Sequence, residues 1–471
     1  MHILEYENKK LEEFNNYLKG RKVAVIGLGV SNIPLISYLH DLKSEVTVFD
    51  NKEIDQIDNN LINQIINYGM NFSFGKDYLK KLEGFDIIFR SPSCLPELVK
   101  EAERGAIITT EVEMVLELTP SKVIGVTGSD GKTTTTTLIS KVLEAGGYKV
   151  FLGGNIGFPL FTKISEMTPE DFVVLELSSF QLMNMKISPT ISVITNITPN
   201  HLNIHSSMEE YVEAKQNIFL HQEPEDLVIL NYDNEITREC GKIAKSRVVY
   251  FSSKEKLENG YIVDDDKIKY CQNGLRSHIL DTKNIILRGK HNAENICAVL
   301  AATKEFVNQE TAIKTISEFR GVEHRIELVK ETENRVKWYN DSASSSPTRT
   351  IVGLNSFSRR NIILIAGGYD KNLDYAPLAK PVLDNCKELI LIGQTAEKIK
   401  NAVEKEMQKD TTGKKLGIHK CDSLLETIEL AKTLTNKGDV VLFSPASASF
   451  DMFKNFADRG NQFKELVNKI V

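Results

Sequence analysis

The 471-residue chain has a single tryptophan, six cysteines, no long apolar run and no marked excess of charge of either sign. Each shortage excludes something. Cys94, Cys240, Cys271, Cys297, Cys386 and Cys421 are widely scattered without a C-x-x-C pair, so neither a zinc site nor a redox motif is indicated. Buried or incidental thiols in a reducing compartment fit this scatter. No apolar run approaches the roughly 18 residues of a membrane span. The opening MHILEYENKKLEEFNNYLKG lacks the basic start and apolar core of a signal peptide. Lys and Arg number 58 against 64 Asp and Glu, a net charge of −6, which provides no global field for nucleic acid or an anionic membrane. A soluble, cytoplasmic protein with neither partner is expected, and any bound phosphate must be held by a local site.

Strand-like apolar runs alternate with amphipathic helix-like stretches, which predicts an α/β architecture with largely parallel sheets. The length calls for several domains. Three parts can be drawn: residues 1–110, opening with KVAVIG; 111–321, with the densest motifs; and 322–471, with buried-looking strands at 361–366, 388–392 and 439–444.

The strongest motif is VIGVTGSDGKTTTTTLIS, residues 123–140. A short apolar strand meets a glycine turn, then a lysine, a threonine and a helical stretch. Gly128 and Gly131 free the backbone to close around phosphate oxygens, Lys132 adds a point charge, and the Thr133 hydroxyl is placed for Mg²⁺. Val126 stands where the full phosphate-loop pattern has its first glycine, so the motif is shortened to G-x-x-G-K-T. Downstream, DFVVLELSSFQL puts Glu176 at the end of an apolar strand, where it could hold Mg²⁺ or form a structural salt bridge. In ISVITNITPNHLNIHSSMEEYVEAKQNIF, Ser207 and Glu210 form a capping-box pattern. His201 and His205 have a four-residue spacing, but Pro199 argues against a zinc helix. By themselves His201 and Lys215 read as surface residues.

The turn GLGVSN, residues 27–32, resembles a dinucleotide fingerprint with Asp50 some 21 residues after Gly29, but Asn32 replaces the third glycine. It suggests a nucleotide-type ligand without specifying NAD. In the last part, GVEHR, NDSASSSPTRT, AGGYDKN and SPASASFDMFKNFADRG are rich in small and charged residues. Three of them follow apolar strands and should gather at the carboxyl edge of one sheet.

Together these residues resemble the Mur ligase family along nearly the whole chain, with TGSDGKT as the ATP loop. ELSSFQL and the closing SPASASFDMFKNFADRG are similar to the branch that adds D-glutamate. The resemblance implies three domains: a Rossmann-like N-terminal domain, a central P-loop-type ATPase domain and a Rossmann-like C-terminal domain. It also implies ATP-dependent joining of D-glutamate to UDP-N-acetylmuramoyl-L-alanine by a monomer, in peptidoglycan precursor synthesis. Gly128, Ser129, Asp130, Gly131, Lys132, Thr133, Thr134, Asn292, Arg325 and Asp341 would contact ATP. Thr133, Glu176, His201 and Lys215 would serve two Mg²⁺ ions, Lys215 as a carbamate formed from CO₂, and Lys132 with the last three would be catalytic. Ser31, Asp50, Asn51, Ser91 and Asn155 would surround the UDP-sugar; Lys371, Ser449 and Phe456 would bind D-glutamate. One departure stands out: Ala343 replaces the lysine of the family's N-D-S-K, so Lys371, Arg349 or water must take its place.

Rival readings are a nicotinamide-dependent oxidoreductase, another acid–amino-acid ligase of this fold such as folylpolyglutamate synthase, and a non-catalytic nucleotide-sugar-binding protein. The first leaves the phosphate loop unexplained. The last is disfavoured by the intact set of Lys132, Thr133, Glu176, His201 and Lys215.

Overall fold

The computed structural model describes residues 6–199, 205, 207–287, 289–357, 361–371, 373–410, 413 and 415–470. The chain divides into two compact units, Met1–Phe319 and Arg320–Val471. The first contains two sheets. Strands β1 (Lys22–Ile26), β2 (Glu45–Asp50), β3 (Asn71–Phe74), β4 (Ile87–Arg90) and β5 (Ile107–Thr109) are ordered β3-β2-β1-β4-β5, all parallel. The order reverses at β1 and β4, and this switch point opens a crevice at their carboxyl ends.

The second sheet has nine strands. β6 (Lys122–Thr127), β7 (Val150–Gly154), β8 (Phe172–Glu176), β9 (Ile191–Ile194), β10 (Leu227–Asn231) and β11 (Arg247–Ser252) are parallel, and β12 (Gly260–Asp264) joins β11 in the same sense. β13 (Lys267–Gln272) and β14 (Leu275–Asp281) continue as antiparallel neighbours. All residues of β8, β9 and β10 are buried. That explains why their residues are mostly apolar without alternation: a parallel strand covered on both faces has no solvent side on which to alternate.

The 110/111 junction falls inside the first unit, where one apolar core runs from Leu35 and Leu39 beside the first sheet to Leu160, Phe161 and Ile164 beside the second. The Phe161 ring meets Tyr38 edge-on at 5.0 Å and Phe89 at 5.9 Å. Buried Glu111 fastens the same place, its Oε1 accepting the amides of Leu160 (2.7 Å) and Phe161 (2.9 Å). Burial pushes its carboxyl up from 4.5 to about 6, against the pull of those two amides. A raised carboxyl pKa in the fold means that the ionised form destabilises it. The cost is present above about pH 6 and is relieved as pH falls toward the unfolded value. Glu111→Gln keeps an oxygen for both amides and is expected to stabilise the protein at pH 7.5 by on the order of 1–2 kcal/mol. The gain should vanish near pH 4.5. Thermal melts across that range check this; a Gln variant that melts lower at pH 7.5 would contradict it.

The second unit holds β15 (Glu327–Glu331), β16 (Lys337–Asn340), β17 (Ile362–Ala366), β18 (Cys386–Ile392), β19 (Gly417–Cys421) and β20 (Val440–Phe443), ordered β15-β16-β20-β17-β18-β19. Only the edge strand β15 is antiparallel to its neighbour. All six cysteines are buried and none is disulfide-bonded. Among the described residues, no helix is long and apolar enough to cross a membrane.

Candidate active site

β6 ends at Thr127, and the chain turns through Gly128–Gly131 into the helix Lys132–Ala145. Gly131 has φ +80°, and a Cβ there would lie 2.4 Å from Asn295 Oδ1; Gly128 has φ +150°, with Thr195 Oγ1 1.9 Å from any Cβ. Both positions therefore require glycine. The loop is braced from β9: the Ser129 amide donates to the Asn196 carbonyl (2.8 Å) and the Asp130 amide to Asn196 Oδ1 (3.0 Å). Lys132 Nζ donates to the carbonyls of Gly128 and Ser129, each at 2.9 Å, which holds its charge across the loop. Thr133 and Thr134 follow in the first helical turn, where amides and dipole favour an anion.

Glu176, the last residue of β8, is in register with Val126 of β6 and Gly154 of β7, so its carboxylate sits beside the loop. It is 2% exposed. Asn155 Nδ2 donates to its Oε1 at 2.7 Å, while Oε2 is buried with no hydrogen-bond partner among the described residues. A buried carboxylate oxygen without a donor is costly, and a divalent cation is a group that would satisfy it. The oxygen donors of Glu176 and Thr133 fit Mg²⁺, a hard ion.

Lys215 is 1% exposed, on the helix Met208–Gln216. Its Nζ donates to Thr127 Oγ1 (3.1 Å) and the Gly128 carbonyl (2.9 Å) and lies 4.9 Å from the centre of the Tyr211 ring. Burial first, and the charge of Lys132 second, hold its pKa well below the usual lysine value, with Glu176 acting in the opposite direction. This is no surface lysine. Ser207 caps that helix, its side chain accepting from the Glu210 amide (3.2 Å). His201 lies outside the described residues. Asn292 is buried at the start of the helix Lys290–Thr303, its Oδ1 accepting from Asn295 Nδ2 (3.3 Å) beside Gly131.

At the first switch point, Asp50 Oδ2 accepts the Leu28 amide (2.6 Å) and Oδ1 the Lys52 amide (2.9 Å), closing the turn that carries Ser31. The Ser91 amide donates to the Ile26 carbonyl (2.9 Å), bringing Ser91 to the same rim, with Asn51 exposed beyond β2. Asn32 Nδ2 donates to the carbonyls of Ile26 (2.9 Å) and Gly27 (3.2 Å), so the residue replacing the third glycine has its own structural work. Asn155 lies at the Glu176 end of the second sheet.

In the second unit, buried Asp341 accepts from Ser444 Oγ (2.6 Å) and the Ile326 amide (3.2 Å), next to exposed Arg325. Burial lifts its carboxyl from 3.8 to about 6, although these donors and Arg325 pull it down. The Tyr369 amide donates to the Ala448 carbonyl (2.9 Å), joining the loop of Lys371 to that of buried Ser449; Lys371 Nζ lies 5.5 Å from the Phe450 ring. The Phe456 carbonyl accepts from Ser342 Oγ (2.7 Å). Arg349 Nη1 donates to the carbonyl of Ala343 (3.2 Å). These groups share the carboxyl edge of the sheet. Holding them is Arg459, 2% exposed, which donates to the carbonyls of Ser342, Ser447 and Ala448 and to Ser342 Oγ. Sequence reasoning missed Arg459, although it lies in FADRG, because a lone arginine on a helix reads as a solvated face.

A glycine-turned loop at a helix start, backed by a buried carboxylate and a buried lysine, defines an enzyme class that handles nucleotide phosphates. Residues 126–303 match the Mur ligase middle domain and 324–447 the Mur ligase glutamate ligase domain. The chain is 49% identical over 466 residues to UDP-N-acetylmuramoylalanine–D-glutamate ligase of Acetivibrio thermocellus, covering 98% of this chain and 99% of that protein. Against the enzyme of the same name from Clostridium novyi it is 48% identical, covering 98% and 100%. The fold is shared with UDP-N-acetylmuramate-alanine ligase from Thermotoga maritima, with a TM-score of 0.56, 19% identity, and coverage of 95% of this chain and 99% of that one. The chain belongs to the Mur ligase family.

Proposed function

We propose that this protein joins D-glutamate to UDP-N-acetylmuramoyl-L-alanine at the expense of ATP; the names of its full-length relatives give the two substrates of those proteins. The observation that carries the reading is the juxtaposition of the phosphate loop with Glu176 and Lys215. An alanyl carboxylate oxygen attacks the γ-phosphorus of ATP, ADP leaves, and an acyl phosphate forms. The amine of D-glutamate then attacks the acyl carbon; phosphate departs and the amine proton is lost, leaving an amide. Lys132 and the amides of the first helical turn balance phosphate charge as it moves. Two Mg²⁺ ions, one by Thr133 and Glu176 and one by His201 and carbamylated Lys215, would screen the remaining phosphate charge. The depressed pKa of Lys215 supports the carbamate. A neutral amine has the lone pair to attack CO₂, and releasing a proton leaves an anion in place of a cation.

Ser31, Asp50, Asn51, Ser91 and Asn155 take the UDP-sugar in this reading, and Asn292, Arg325 and Asp341 serve ATP. Lys371, Ser449 and Phe456 receive D-glutamate. Purified protein given all substrates should yield a product heavier than the nucleotide substrate by one glutamyl residue. A mass spectrum showing only unchanged nucleotide-sugar would refute the proposal.

The D-glutamate site has two exposed cations to offer, Lys371 and Arg349. Lys371→Ala should raise the KM for D-glutamate by roughly one to two orders of magnitude, the worth of one charge-assisted hydrogen bond. The KM values for ATP and UDP-sugar should stay within a few-fold. Arg349→Ala, made in parallel, reads the contribution of the guanidinium at the Ala343 carbonyl. If neither variant changes the D-glutamate KM, the placement of that site is wrong.

A further inference from the structure

The mechanism above gives no work to His205. The residue is buried, and its ring is held by one hydrogen bond and two ring contacts. Its Nε2 is 2.9 Å from Ser179 Oγ, and Nδ1 faces Glu210 Oε2 at 4.0 Å. One face is stacked on Phe180, with centroids 5.1 Å apart and planes 7° from parallel. Tyr211 meets it at 5.2 Å in an edge-on arrangement. Ser179 and Phe180 belong to ELSSFQL, three and four residues beyond Glu176. Glu210 and Tyr211 open the helix that carries Lys215. From Tyr211 the chain of contacts reaches the nucleotide loop: its hydroxyl is 3.0 Å from Ser129 Oγ, and its ring lies under Lys215 Nζ.

We infer that His205 is a positioning residue that locks the lysine helix to the ELSSFQL turn and, through Tyr211, sets Ser129 and Lys215 against the phosphate loop. A ring that only filled space could be any aromatic. Here the hydroxyl of Ser179 needs a ring nitrogen, and the position of Tyr211 depends on how the ring is turned. The consequence for substrates is selective: the strut ends on the nucleotide loop, whereas Ser31, Asp50, Asn51 and Ser91 of the UDP-sugar set lie at the rim of another sheet and only Asn155 of that set sits by Glu176.

Two gentle variants test this. His205→Phe keeps the stacking area and removes the hydrogen bond; Ser179→Ala removes the same bond from the other side. Each should weaken a non-hydrolysable ATP analogue with Mg²⁺ about five-fold in calorimetric titration, the equivalent of one neutral hydrogen bond. Turnover should fall by a similar factor, the UDP-sugar KM should stay within about two-fold, and the double variant should be no worse than the poorer single one, because the two residues act as one unit. Unchanged analogue affinity in both variants overturns the inference, as does an equal loss of affinity for every substrate. The inference rests on the ligase reading, but the two can fail separately. A wild-type protein without ligase activity sinks that reading, while the analogue titration still reports on His205.

Discussion

Replacing Lys132 or Glu176 with alanine should lower turnover by at least about two orders of magnitude while the fold survives, since one lost electrostatic contact to developing charge costs roughly 2.7–4 kcal/mol. The two variants should fail for different reasons. Lys132 is half-buried, and its ammonium rests on the carbonyls of Gly128 and Ser129, so its removal takes a positive charge from the loop mouth. Glu176 is buried with one oxygen unserved, so its removal relieves a desolvation cost and gives up the cation it would hold. Glu176→Ala should therefore melt no lower than Lys132→Ala, apart from the cavity it leaves. Circular dichroism establishes folding and steady-state kinetics reads the loss. Near-wild-type turnover in either variant would remove the mechanism.

The second large effect concerns Lys215. An arginine there keeps its charge at any accessible pH and cannot form a carbamate. In a site 1% exposed and already under the field of Lys132, that charge is also costly. Lys215→Arg should lose at least two to three orders of magnitude in turnover, the scale of a lost electrostatic stabiliser. Wild-type enzyme stripped of Mg²⁺ and held in decarbonated buffer should slow, and bicarbonate should restore it. An active Arg variant would show that Lys215 is needed only to fill its site.

Much of this was legible from local pattern. The phosphate loop announces itself because strand, glycine turn and helix are contiguous; Glu176 draws notice because a carboxylate ends an apolar strand, but that segment alone left Mg²⁺ and a structural salt bridge equally open. Lys215 was not legible from the residues alone. On its helix it is one polar residue among several, and its burial comes from β6 and the phosphate loop, more than 80 residues away. The same holds for Arg459, whose carbonyl partners at Ser342 lie 117 residues earlier, and for Tyr211, which meets Ser129 across 82. Asn32 marked a broken fingerprint, but its part in holding the Ile26 and Gly27 carbonyls could be seen only in the folded turn. The division expected at residues 110/111 rests on the motif-bearing stretch that starts near the strand KVIGVTG. Glu111 and Phe161 link the two sheets across that division, through contacts that no periodicity reveals.

The central claim is that phosphoryl transfer from ATP is tied to amide formation between these two substrates. Release of inorganic phosphate, followed with each component withheld in turn, tests it most directly. Sustained release is expected only when ATP, Mg²⁺, UDP-N-acetylmuramoyl-L-alanine and D-glutamate are all present, with L-glutamate unable to substitute. Release at the same rate without D-glutamate, or without the nucleotide-sugar, would contradict the account.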